Sequence, residues 1–274
     1  MIEPFQDLGW GMRNTICCLA VISLTASLFG AAGCAGVHTT GSPPAAPNAA
    51  GAGADWSYYG GDAASTKHSH LTEIDSTNVS QLRMVWRWTS PDREIFENEQ
   101  VEPNPRSMQN TPLAIDGVLY VSTALNVISA IDGATGEPIW TFDPEAWKEP
   151  SDHSVHRGVA YWRDDAGEER ILFGTSSAFL YSLDAQTGLP DSTFGDSGRV
   201  DLSKGLSRPI PDDERWRYGV TSPPIVCRDV IVMGSLIIDY DDVSIENMIP
   251  GDVRGFDVRT GELLWTFHSA LSRS

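Results

Sequence analysis

Four places in this chain hold residue types that could be weighed for chemistry. Asp239, Asp241, Asp242 and Glu246 gather carboxylates within 238–251, a stretch too polar for a strand, where they are either oxygen donors or solvated loop charges. His153 and His156 bring two imidazoles to the approach to Arg157, whose guanidinium is a permanently charged, forked donor. Arg157 stands immediately before the apolar run Gly158–Trp162, a poor place for an arginine that serves only solvation. Cys227, between Ile225–Val226 and Val230–Ile231, reads as a small hydrophobe near a turn rather than a nucleophile. Thr221, ahead of Pro223–Pro224, fits an edge strand on propensity alone.

The elements that would position these residues repeat. One unit runs from Thr111 through Val118–Ser122, Val127–Asp132 and Gly136 to Trp140 and Phe142. A second runs from Gly158–Trp162 through Arg170–Gly174, Phe179–Asp184 and Gly188 to a degenerate close at Phe194. A third runs from Thr221 through Asp229–Gly234, Val253–Asp257 and Gly261 to Trp265 and Phe267. Each carries Asp-x-x-Thr-Gly at 132–136, 184–188 and 257–261. The Asp can accept backbone N–H bonds across the turn, and the Gly tolerates the positive φ that a tight hairpin asks for. A Trp on the last strand offers a flat apolar body to the neighbouring sheet. Met84–Thr89 reads as a strand ahead of the first unit, after a helical turn within Leu71–Leu82.

Repeating four-stranded units are blades, so the predicted class is all-β, a β-propeller whose first three to four blades lie in 55–274. The turn glycines are 52 residues apart from Gly136 to Gly188 and 73 apart from Gly188 to Gly261, which places an insertion at Ile238–Gly251. A β-sandwich also shows alternation and Asp/Gly turns, but does not require Thr-Gly-x-x-x-Trp to recur. Three units do not close a ring, so the sequence reads as a fragment or as the product of a truncated gene.

The first fifty-odd residues carry no core. Arg13, the apolar run Ile16–Phe29, and small residues before Cys34 make a secretion signal of the lipoprotein type over 1–34, with Met12 as the true start. The apolar run falls short of the about 20 residues of a membrane span. Residues 35–54 form a Gly/Ala/Pro-rich linker. The expected address is the periplasmic side of the cell envelope, with a lipid anchor at Cys34. Ala35 lacks the acidic residue associated with inner-membrane retention, and it is resemblance to lipoproteins of that kind that points to the outer rather than the inner membrane. Of the 4 cysteines, Cys17 and Cys18 would leave with the signal, so Cys227 has no disulfide partner in the mature chain. The net charge of −18, from 19 basic and 37 acidic residues without a Lys/Arg cluster, argues against a nucleic-acid partner.

Asp55–Asp62, Gln109–Leu113, Arg157–Trp162, Phe194–Asp196, Gly219–Pro224 and Arg254–Glu262, taken in order, resemble the N-terminal part of pyrroloquinoline-quinone (PQQ) dehydrogenases, in particular the membrane-bound glucose dehydrogenase branch. The resemblance implies an eight-bladed propeller carrying PQQ on its axis above Ca²⁺ or Mg²⁺, with a sugar or alcohol as substrate and a respiratory quinone or other electron acceptor as partner. It implies that Arg157 binds near the quinone oxygens, that Thr221 hydrogen-bonds the cofactor, and that Asp239 ligates the metal, although Asp241 and Asp242 are neighbours of the same type. Gln109 stands where relatives commonly have Glu, so a donor-acceptor amide replaces a charge. His153 resembles the histidine that faces substrate in the glucose branch. His156 is its rival, placed where that branch often has cysteine. The adjacent disulfide pair of the methanol and ethanol branches is absent, and Leu236 departs from a small hydroxyl residue. The family's catalytic aspartate, second metal-ligand region and functional lysine would lie beyond Ser274. A lipid-anchored propeller scaffold of the outer-membrane assembly type would share the signal and the turns but has no use for Arg157 or Asp239. A non-functional truncated product is the remaining alternative.

Overall fold

The hairpins close at the Asp-x-x-Thr-Gly turns. In the computed structural model, which describes residues 55–99, 101, 108–149, 155–237 and 249–269, Asp132 Oδ1 accepts the amide of Thr135 at 2.7 Å and its hydroxyl at 2.9 Å. Asp184 with Thr187 and Asp257 with Thr260 repeat that arrangement. These bonds, first from the Thr135 amide, hold the Asp132 carboxyl below its ordinary range. Gly136, Gly188 and Gly261 complete the turns at φ +76, +71 and +72, where a Cβ is strained.

A short helix, α1 (Asp92–Asn98), precedes the sheets. The first blade comprises β1 (Leu113–Ile115), β2 (Val118–Ser122), β3 (Ile128–Asp132) and β4 (Pro138–Phe142). The second comprises β5 (Ala160–Arg163), β6 (Glu169–Gly174), β7 (Phe179–Asp184) and β8 (Arg199–Asp201). A small strand, β9 (Tyr218–Gly219), then precedes β10 (Ile225–Cys227) and β11 (Val230–Met233). β12 (Leu236–Ile237) pairs back onto β9, and β13 (Val253–Asp257) with β14 (Leu263–Phe267) completes the third blade. Among the described residues the three four-stranded sheets are antiparallel, in the orders β1-β2-β3-β4, β5-β6-β7-β8 and β10-β11-β13-β14. Val118, Arg170 and Val230 pair with Asp132, Asp184 and Asp257, so one register runs through all three blades.

Successive blades bury opposite faces of the same strands. Ile171, Phe173 and Leu183 pack against Leu113, Ile128 and Ala130 of the first blade. Leu172 and Leu180, one residue over on the same strands, pack against Ile231, Met233 and Phe256 of the third. The middle blade is therefore apolar on both faces, and a side chain such as Phe173, fully buried, contributes about 1.5–3 kcal/mol. Around β3, Val127, Ile128, Ser129, Ala130 and Ile131 are all buried, so this run faces core on both sides.

Tryptophans bind the blades edge to edge. Trp140 Nε1 donates to Ala185 O at 2.9 Å, and its ring lies where a Cβ on Gly188 would be 2.5 Å away. Trp86 Nε1 likewise donates to Gly133 O at 3.1 Å over Gly136. Met84–Thr89, expected as a strand, forms none among the described residues; it is an irregular run held by Trp86. The second blade does not close at Phe194. Its fourth strand comes later, at β8, while Phe194 is fully buried and lies with Val200 against Gly261. Cys227 is exposed at the end of β10 rather than packed. No helix among the described residues is long and apolar enough to cross a membrane. The signal and linker (1–34 and 35–54), Cys34, His153, Asp239 and most of the insertion lie outside the described residues.

Candidate functional site

The segments leading into the first strands of the three blades are tied together laterally. Thr111 N donates to Arg157 O at 3.1 Å, and Arg157 N donates to Thr221 O at 2.9 Å. The approach is close enough to require glycine at 158: its φ is +144, and a Cβ would lie 3.2 Å from Thr111 O, with Tyr59 and Pro223 next. This stitching places Arg157 and Thr221, 64 residues apart in sequence, side by side, and Arg157 Nη1 donates to Thr221 Oγ1 at 2.7 Å.

Beside that pair opens a cleft of about 280 Å³. Arg157, Thr221, Ser222 and Ser235 give it a cationic and hydroxylic lining; Val220, Pro223, Met233 and Leu236 line it with apolar groups. A guanidinium and hydroxyls beside apolar walls suit a ligand that carries both acidic groups and apolar surface. Behind the cleft, the Arg254 guanidinium donates to Leu202 O (2.7 Å), Lys204 O (2.7 Å) and Tyr218 Oη (2.8 Å). Burial raises the Tyr218 phenol, and Arg254 and Ser235 beside its hydroxyl act the other way.

Of the residues singled out in the sequence, Arg157 and Thr221 meet at the cleft. Gln109 is exposed at the approach to the first blade and does not line it. Ser235 was missed. The shared register aligns it with Thr123 and Thr175, whose amides open the corresponding hairpins by donating to Val127 O (2.9 Å) and Phe179 O (2.8 Å), so a hydroxyl at that point of the repeat was the available signal. Among the described residues no three His, Cys, Asp or Glu side chains converge as a metal cluster.

His156 is fully buried, its Nε2 2.8 Å from Gly174 O, a bond only an Nε2–H can make. Burial pushes the imidazole from 6.5 down to about 4; the Gly174 bond opposes this and the neighbouring Arg157 charge reinforces it. The unfolded chain therefore binds a proton that the folded chain refuses between these values, and stability falls as pH drops through that window. The loss attributable to His156 approaches about 3 kcal/mol at the acid end. Urea unfolding across that range should show the wild type losing this much more stability than His156→Gln; parallel curves would contradict it.

Residues 56–274 match the PQQ family described as "Glucose/ethanol/alcohol dehydrogenase, beta-propeller domain". The chain is 29% identical to a quinoprotein glucose dehydrogenase of Gluconobacter oxydans over 98% of its own length, and 31% identical to that of Escherichia coli over 78%. It spans 35% and 27% of the lengths of these two relatives. Among solved structures, the quinohemoprotein alcohol dehydrogenase from Comamonas testosteroni superposes with a TM-score of 0.57 at 27% identity, over 79% of this chain and 27% of that one. Its three blades in one register, and a family match extending across all of them, make this chain a member of the PQQ-dependent dehydrogenase family of the glucose/alcohol type.

Proposed function

We propose that this chain forms the cofactor-facing edge of a PQQ-dependent oxidoreductase of the membrane-bound glucose dehydrogenase branch, acting on a CH–OH group of a sugar or alcohol and passing electrons to a respiratory quinone or other acceptor. The observation that carries the proposal is the Arg157–Thr221 pair on the wall of the cleft. The lining fits the group: PQQ is flat and tricarboxylated, and the cleft offers a guanidinium, three hydroxyls and apolar surface. Arg157 would bind a rim carboxylate or quinone oxygen while Thr221 fixes the direction of its fork, and Ser222 and Ser235 would add hydroxyl contacts. When bound, the quinone supplies an electrophilic carbonyl that takes up the substrate's electrons, polarised by Ca²⁺ or Mg²⁺. Asp239 is the candidate metal ligand and His153 the substrate-facing histidine; Gln109, outside the cleft lining, would meet the part of the cofactor that extends toward the first blade. The eight-bladed ring, the lipid anchor at Cys34 and the periplasmic address belong to the same reading.

Tryptophan fluorescence of the full chain, titrated with PQQ in the presence of Ca²⁺ or Mg²⁺, tests this. Saturable binding is expected, weakened about 10- to 100-fold in Arg157→Ala, the worth of a hydrogen bond to a charged group. Arg157→Lys should recover only part, because a point charge lacks the fork. No saturable binding, or an Arg157→Ala variant that binds like the wild type, would overturn the assignment.

A further inference from the structure

The Arg157 backbone is held on both sides by neighbouring blades, through Thr111 and Thr221, but nothing in those two bonds fixes its height relative to its own blade. That task falls to the residue before it. His156 has no solvent exposure, its ring meets Phe173 edge-on at 6.2 Å between centroids, and its Nε2–H donates to the carbonyl of Gly174 at the end of β6. The other ring nitrogen, Nδ1, is enclosed without a hydrogen-bond partner. A buried imidazole with one nitrogen bonded and the other bare has a single tautomer available.

The acceptor matters as much as the donor. Gly174 packs so closely against Val220 and Met233, two walls of the cleft, that a Cβ there would lie 2.6 Å from Val220 Cγ1 and 2.9 Å from Met233 Cε. The first blade repeats the device. Asn110 Nδ2 donates to Ser122 O, which the common register makes the counterpart of Gly174 O. In the third blade the counterpart is Gly234, which lines the cleft itself. A side chain from the entering segment thus grips the same carbonyl in two blades, and the cleft opens at that point in the third.

We propose that His156 is the positioning residue of Arg157: its neutral Nε2–H tautomer latches the entering segment to Gly174 and sets the direction in which the guanidinium leaves it. The proposal rests on the reading that Arg157 faces the cofactor, and its test separates the two. In nitrogen-labelled full-length chain, the His156 ring should show the Nε2–H tautomer, unchanged from about pH 8 to about pH 5.5, where an ordinary histidine titrates. His156→Gln, whose amide reaches the same carbonyl, should keep protected Arg157 guanidinium resonances and bind PQQ within about threefold of the wild type. His156→Leu should lose the protection and about tenfold or more in PQQ affinity, the equivalent of misdirecting one charged hydrogen bond. If His156→Leu does not fold, His156→Phe, whose ring fills the space without a donor, should show the same losses. Gln falling as far as Leu or Phe, or Leu leaving both readouts unmoved, would overturn the latch. Should the wild type not bind PQQ, the cofactor reading fails and the Arg157 resonances alone decide the latch.

Discussion

Replacing Arg170 with alanine is expected to lower the unfolding free energy by about 3–5 kcal/mol, the cost of removing one partner from a buried charge pair. Arg170 is 4% exposed and joins the second blade to the third. Its Nη1 donates to the carbonyls of Val258 and Arg259, each at 2.9 Å, in the turn between β13 and β14. Its Nη2 pairs with Glu168 and, at 2.6 Å, with Asp191, while the guanidinium lies 5.6 Å from the Trp162 ring. Truncation leaves the half-enclosed Asp191 carboxylate without its cation and two turn carbonyls without their donor. Arg170→Lys should recover a minority of the loss, because an ammonium cannot span both carbonyls and both acids. Urea unfolding measures this. A loss below about 1 kcal/mol would mean that the interblade contact behaves as a surface ion pair.

Substituting alanine at the turn glycines should produce unequal losses, and the inequality is the informative part. At Gly188 a Cβ would lie 2.5 Å from Trp140 Cδ2, and at Gly136 2.5 Å from Trp86 Cδ2. Each substitution strains a left-handed backbone by about 1 kcal/mol and also drives the indole off its seat, breaking its bond to Ala185 O or Gly133 O. The sum should approach the about 3–5 kcal/mol seen for losing a packed tryptophan. At Gly261 the Cβ would meet Val200 Cγ2 at 2.7 Å, a smaller group than an indole, so the loss there should be the least. Equal losses at all three sites would show that the backbone angle alone matters and that the tryptophans do not dock the blades.

The parts of this molecule that were legible in advance are those governed by neighbours in sequence. Asp132, Asp184 and Asp257 each close their turn with a Thr three residues on, so spacing alone revealed the hairpins. Met84–Thr89 misled because an apolar run has the composition of a strand whether or not a partner strand lies beside it; Trp86 found a turn glycine instead. Phe194 misled for a related reason: an aromatic near the expected close of a blade went into the core, and β8 formed from Arg199–Asp201. α1 is short and has its acidic residues, Asp92 and Glu94, in its first turn, too little periodicity to stand out.

At the site the division is sharper. The type of Arg157, its place before an apolar run and its resemblance to a family motif were all readable from the chain. Its contact with Thr221, the hydroxyl of Ser235 on the same cleft and the grip of His156 on Gly174 were not. The sequence by itself determined the repeating hairpins, the family and the identity of a cationic candidate, because turn geometry and side-chain chemistry act over a few residues. Only the tertiary structure decided which groups meet, because the bonds between entering segments and the shared burial of blade faces join residues far apart in the chain, and no local pattern encodes that pairing.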